Sequence, residues 1–185
     1  MKSSNKTILG SLTFSDICKT CGKSQTYVRN LQKSMGLPVL DQDSRYLSSY
    51  LCFLQKVISL RTFGVPLDDI LELFTKEKGI LCLLKMDALS NSPTWYLDQC
   101  DASGNADYRF FLTGYNVGFP VAGGCVQSNL DFGKREKELF NAKEMGEDVQ
   151  RALDSYLKLL PKIKSRIIQE KPVLEQALKW GKEAL

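Results

Sequence analysis

The chain has 185 residues, 43% hydrophobic and 25% charged, with a formal net charge of +4, a composition ordinary for a soluble globular protein of one medium or two small domains. It contains no histidine, which excludes Ser-His-Asp and Cys-His nucleophile pairs, histidine-ligated zinc and the commonest general base, so an enzyme reading starts at a disadvantage and none is expected; no cofactor is expected either. Without a run of about 18 apolar residues no membrane span is expected; the opening "MKSSNKTILGSLTFSD" lacks the apolar core of a secretory signal, so the expected compartment is the cytoplasm and the six cysteines are expected as free thiols.

Charge is unevenly distributed. Residues 1–65 carry 9 Lys and Arg against 3 Asp and Glu, a net of +6, whereas residues 66–185 carry 16 against 18, a net of −2. A basic head joined to a slightly acidic body is the balance expected of a nucleic-acid-binding unit on an interaction or sensing unit.

In chain order, Phe14, Ile17, Cys18 and Cys21 fall at i, i+3, i+4, i+7, which predicts a short amphipathic helix stopped by Gly22. Ser24 is placed to cap a second helix, with Val28, Leu31 and Met35 inward and Thr26, Arg29, Asn30 and Lys33 on another, polar and basic face. "GLPVLDQDSRYLSS" reads as a brief hairpin or loop with Arg45 near its return. Ser48 or Ser49 is expected to cap a third helix reaching about Phe63, with Leu51, Leu54, Val57 and Ile58 inward. "FGVPLDD" then makes a tight corner into a fourth helix through Leu67, Ile70, Leu71 and Phe74, and "GILCLLKMDAL" extends the apolar run to about Leu89.

From residue 90 to 133 the aromatic and β-branched content, interrupted by "DASGNAD" and "AGG", predicts a small antiparallel β-sheet. Beyond it, Ala142, Met145, Val149, Ala152, Tyr156, Leu159 and Ile163 keep a 3-4 spacing, the seam of a coiled coil or helical hairpin, with Leu153, Leu157, Leu160 and Ile167 as a neighbouring stripe. Pro161 and Pro172 are expected to kink or restart the helix. The expected fold class is mainly α: a winged helix-turn-helix head over 1–89, an aromatic-rich sheet over 90–133 and a C-terminal helical segment over 134–185.

Helix, glycine turn, helix, arginine-bearing hairpin and two further helices is the order of a winged helix-turn-helix. On that reading Ser24, Gln25, Thr26, Tyr27, Arg29, Asn30 and Lys33 face the major groove of double-stranded DNA, and Arg45 holds the adjacent backbone or minor groove. A helical bundle whose cations are merely solvated fits the same charge spacing.

The segment "LRTFGVPLDDILELF" resembles the MerR family where two helices meet behind the wing, matching at Leu60, Arg61, Gly64, Leu67, Ile70 and Leu73. "TCGKSQTYVRNLQKSMGLPV" is similar to that family's recognition helix at Gly22, Ser24, Val28, Arg29, Leu37 and Pro38. The resemblance spans Thr13 to Phe74 and implies a dimeric, sequence-specific transcriptional regulator, paired through a long helix, here expected among the C-terminal helices from about Ala142, with the helix near Leu73 to Leu89 as the alternative. Where the family commonly has two tyrosines and an acidic residue, this chain has Asn30, Leu31 and Gln32. "MGLPV" also resembles the heads of excisionases and terminase subunits. The alternative is therefore a protein-interaction adaptor, or a phage-type DNA-architecture protein, on the same head.

Cys18-Lys19-Thr20-Cys21 is a single C-x-x-C with no second pair, so core packing is preferred and no metal is expected. Cys100 and Cys125 read as small apolar strand residues. Trp95, Tyr96, Phe110 and Tyr115 form a candidate effector pocket, weighed against the simpler reading that a small sheet needs large side chains for its core. The glycines of "TGYNVGFPVAGG" lack a phosphate-loop lysine.

Overall fold

A computed structural model of the chain describes residues 11–40, 45–84, 94–97, 110–115, 146–167 and 171–184. Among them are six α-helices: α1 (Phe14–Cys21), α2 (Gln25–Ser34), α3 (Ser48–Thr62), α4 (Leu67–Leu83), α5 (Glu147–Lys164) and α6 (Lys171–Ala184). α1 packs on α2 and α3, α3 meets α4 at the corner, α4 lies along α5, and α5 carries α6. The described residues are thus mainly helical, without the sheet expected in the middle of the chain.

Local chemistry sets the helix ends. Thr13 and Asp16 form a capping box: Thr13 Oγ1 accepts from the Asp16 amide at 3.1 Å while Asp16 Oδ2 accepts from the Thr13 amide at 2.9 Å. Gly22 stops α1 with φ 61°, its N–H donating to Lys19 O and that of Lys23 to Cys18 O, both at 3.1 Å. Gly64 ends α3 the same way at φ 83°, with Gly64 N on Arg61 O and Val65 N on Leu60 O. This paired closure satisfies two carbonyls at each helix end and needs a left-handed residue at its centre. Val65 and Leu60, the apolar pair that accompanies such a closure, are both buried, and Arg61 Nη1 donates to Val65 O at 2.9 Å. The corner is therefore a packed joint. Asp68 and Asp69 in the first turn of α4 complement its dipole.

α3 differs from expectation in detail. Its N-cap is Leu47, with no side-chain cap, and its buried face is Tyr50, Phe53, Leu54, Val57 and Leu60; Leu51 and Ile58 are only half-buried. The inward aromatics rotate the face by about one residue from the leucine pattern. α4 runs unbroken past Gly79 to Leu83. Residues 85–93, including the expected extension to Leu89, lie outside the described residues.

In α5, Val149, Leu153, Tyr156, Leu159, Leu160 and Ile163 are buried, joining the two predicted stripes into one broad face. The helix continues through Pro161, which is exposed, to Lys164, so it does not restart there, and the hydrogen bond that proline cannot donate is missing on the solvent side. Pro172 instead stands in the first turn of α6, where a missing N–H costs nothing. Leu174, Ala177 and Trp180 bury α6 against the body. The helices approach closely at Gly181, where an added Cβ would lie 2.1 Å from Leu157 Cδ2. Lys162 Nζ reaches Asp69 Oδ1 at 2.6 Å and Arg166 Nη1 reaches Asp69 Oδ2 at 3.4 Å, tying the end of α5 to the start of α4.

The predicted β-sheet over 90–133 is corrected. Its described residues contain no strand: Trp95–Leu97 is a single 3-10 turn and residues 110–115 form a tight turn closed by Gly114 N on Phe110 O at 3.1 Å. All ten described residues of this region are buried. Their aromatic richness fills the space between helices rather than one face of a sheet. Residues 98–109 and 116–145, including Cys100, Cys125, Ala142 and Met145, lie outside the described residues.

Candidate nucleic-acid interface

α2 has two chemically different sides. Val28, Leu31 and Gln32 are buried, whereas Gln25, Thr26, Tyr27, Asn30 and Lys33 are exposed. Ser24 caps the helix, its Oγ accepting from Tyr27 N at 3.2 Å, so that hydroxyl is committed to starting α2. Thr26, Asn30 and Lys33 succeed one another at i, i+4, i+7 and share a solvent-facing stripe. Lys23 Nζ stands 5.4 Å from the centre of the Tyr27 ring, leaving a cation and a 38%-exposed aromatic beside the first turn.

Arg29 departs from the expected group. Its guanidinium carbon lies 3.7 Å from the centre of the Phe14 ring, and Nη1 donates to Gln32 Oε1 at 3.2 Å. The side chain is half-buried against α1. Behind it, Gln32 is 0% exposed and donates through Nε2 to the Tyr50 hydroxyl at 2.7 Å and, more weakly, to the Tyr46 hydroxyl at 3.5 Å. Burial holds the Tyr50 phenol far above the ordinary tyrosine pKa, so it stays a neutral partner.

The segment carrying Arg45 is tied to the same cluster. Leu12 and Tyr46 exchange both backbone hydrogen bonds, at 3.1 and 2.8 Å, in a single antiparallel bridge. Tyr46 lies 6.5 Å from Phe14 and 4.8 Å from Tyr50, ring centre to ring centre. Arg45 itself is exposed. Residues 41–44, the tip of the expected hairpin, lie outside the described residues.

The C-x-x-C pair stands on the inner side of α1, Cys18 buried and Cys21 half-buried, and burial pushes both thiols above their ordinary pKa, which leaves them protonated and poorly nucleophilic at neutral pH.

The four aromatics of the candidate effector pocket are all buried. Trp95, Tyr96 and Tyr115 come together, with ring centres 5.4 and 6.3 Å from Trp95, and the Tyr115 hydroxyl donates to Trp95 O. Phe110 packs elsewhere, at 5.2 Å from Tyr156 and 5.4 Å from Trp180. These side chains pack against one another and the helices.

Sequence reasoning missed Glu77. It is fully buried on α4 and accepts from Leu112 N at 2.9 Å, Thr113 N at 2.7 Å and the Tyr156 hydroxyl at 3.1 Å. Tyr156 also receives the Phe111 amide at 3.1 Å, and Lys56 Nζ from α3 reaches Phe111 O at 3.3 Å. One carboxylate thereby binds the 110–115 turn to α4 and α5. Burial raises its pKa from the ordinary 4.5, while the turn amides and the Tyr156 hydroxyl pull the other way. Gln32 was missed for the same reason as Glu77: each falls at helical spacing from its apolar neighbours, Val28 for one and Leu73 and Phe74 for the other. A polar residue in a core register was the available signal.

Comparison with protein-family models, curated proteins and solved structures found no match to this chain. Among the described residues no helix is long and apolar enough to cross a membrane.

Proposed function

We propose that the chain is a sequence-specific, MerR-like DNA-binding regulator acting in the cytoplasm as a dimer, with α2 as the helix presented to the major groove. The observation that carries this reading is the two-sidedness of α2: Thr26, Asn30 and Lys33 stand outward on a helix whose other side is locked by Val28, Leu31 and Gln32. The groups suit their roles. Asn and Gln side chains pair with adenine edges, Thr methyls meet thymine, and Lys neutralises phosphate. Arg45 lies on the segment bridged to Leu12, beside the head, and would reach the neighbouring backbone. The apolar stripe of α5 is occupied within the chain, so a two-fold contact through the C-terminal helices would use their remaining surface.

Selection of bound duplexes from a random pool tests the reading. Enrichment of a defined site is expected, and an inverted repeat would establish the dimer and its half-site spacing together. Affinity should fall linearly with salt on logarithmic axes, and Lys33→Ala should lower that slope by about 1 while weakening all sequences alike. Absence of binding to any duplex at low salt would sink the proposal. The adaptor reading, favoured by the inward engagement of Arg29, would then take its place, with a specific protein partner of the exposed α2 face as its expected signature.

A further inference from the structure

The expected cation at the centre of the α2 face is bonded into the head itself. Arg29 is stacked on Phe14 of α1 at 3.7 Å and bonded to Gln32 at 3.2 Å, and Gln32 passes the connection to Tyr50 of α3 at 2.7 Å and to Tyr46 at 3.5 Å. Tyr46 immediately follows Arg45 and exchanges two backbone hydrogen bonds with Leu12. One chain of contacts therefore runs from α1 through α2 to α3 and to the segment that carries the second basic group. Buried networks of this kind fix relative orientation, since every member loses a partner if one element rotates.

We propose that Arg29 is a positioning residue: with Gln32 it sets the orientation of α2 relative to the Arg45 segment, and contact with nucleic acid falls to Thr26, Asn30, Lys33 and Arg45. The proposal rests on the DNA-binding reading above and deepens it. A guanidinium suits the task because its flat face stacks on an aromatic ring while its edge donates to an amide oxygen; a lysine ammonium keeps the charge but cannot do both at once. Stacked on Phe14 and bonded to Gln32, the guanidinium needs no phosphate to satisfy it.

The test uses the full chain and the variants Arg29→Ala, Arg29→Lys, Gln32→Leu, the Arg29→Ala/Gln32→Leu double variant and Lys33→Ala, each assayed where circular dichroism shows it folded. Duplex affinity is measured across a salt series and thermal unfolding is measured without DNA. A positioning role predicts that Arg29→Ala and Gln32→Leu each weaken binding by about 10-fold, the order of one good directed contact. The double variant should then be no weaker than the worse single. Arg29→Lys should fail to rescue, and the salt slope of all four Arg29 and Gln32 variants should equal that of the wild type, whereas Lys33→Ala should lower it by about 1. Additive losses, rescue by lysine, a slope lowered by Arg29→Ala, or an unchanged affinity in Arg29→Ala would each overturn the assignment. If the wild type binds no duplex, the DNA reading fails on its own. The unfolding cycle still decides the internal link, because absence of coupling between Arg29 and Gln32 there overturns this proposal irrespective of DNA.

Discussion

Gln32 in the head and Glu77 in the body occupy comparable places and solve the same problem differently. Each stands on the apolar side of a helix, each is 0% exposed, and each joins three elements. Gln32 is neutral and finds side-chain partners, one donor and two phenols. Glu77 is ionisable and finds mainly backbone N–H groups at the tight turn over 110–115. The difference lies in what each must satisfy: the head aligns helices through side chains, while the body holds down a segment whose amides point inward without a strand or helix to receive them. An amide can do the first at any pH. A carboxylate suits the second because it accepts several N–H groups at once, and it brings a titration with it.

The largest effect should come from Glu77→Ala, which strands the Leu112 and Thr113 amides and the Tyr156 hydroxyl inside the core. A loss of about 3–5 kcal/mol in chemical denaturation is expected, comparable to breaking other buried polar networks. A loss below about 1 kcal/mol, the scale of an ordinary single hydrogen bond, would show that the turn is held by its apolar packing instead. Gln32→Leu should cost less, about 1–3 kcal/mol, because it removes one neutral amide at similar volume and leaves the Arg29 guanidinium and the Tyr50 and Tyr46 hydroxyls without it. A loss equal to that of Glu77→Ala would erase the distinction between the two centres.

Titration sharpens the comparison further. Because burial raises the Glu77 pKa above 4.5, the folded state holds its proton more tightly than the unfolded one. Its contribution to stability is then fullest below pH 4.5 and is lost as pH rises through the raised value. Glu77→Gln should flatten that decline in a pH series of denaturation midpoints, whereas Gln32→Leu should leave its slope unchanged. Parallel curves for wild type and Glu77→Gln would show that the ionised carboxylate is fully compensated by its donors.

The smallest effect belongs to the start of α1. Its hydrogen bonds to Thr13, foremost the side-chain one, hold the Asp16 pKa below 3.8, so the stabilisation they give is present above that value and is lost as pH falls through the depressed pKa. Asp16→Ala should speed amide exchange at Asp16 and Ile17 without moving the body. Equal protection in both proteins would show that α3 packing alone holds this end.

Much of the head was legible because its signals are local. The 3-4 spacing through Ile17, Val28 and Leu31, the serine cap at Ser24 and the glycine closures at Gly22 and Gly64 each act within a few residues, and each stands as expected. Its surface was legible in outline: Thr26, Asn30 and Lys33 face solvent, but Arg29 does not join them freely. Its helical spacing matched theirs, and what drew it inward was Phe14, a ring 15 positions earlier on another helix. The aromatic middle was misread for a related reason. Trp95, Phe110 and Tyr115 carry β-propensity, yet that propensity largely measures fit to a half-buried surface, and a cleft between helices offers such a surface as well as a sheet does.

By itself, then, the sequence determined which stretches are helical, the start of α2 at Ser24, the ends of α1 and α3 at Gly22 and Gly64, and the apolar sides of α1 and α2, because these follow from backbone geometry and spacing over one or two turns. Tertiary structure alone decided the register of α3, what the Gln32 and Glu77 side chains hold, that Arg29 turns toward α1, and that residues 95–97 and 110–115 close as turns among the helices. Those outcomes depend on partners as far apart in sequence as Glu77 and Tyr156. A buried polar group is stable only where the fold brings its complement, and no local pattern encodes that meeting.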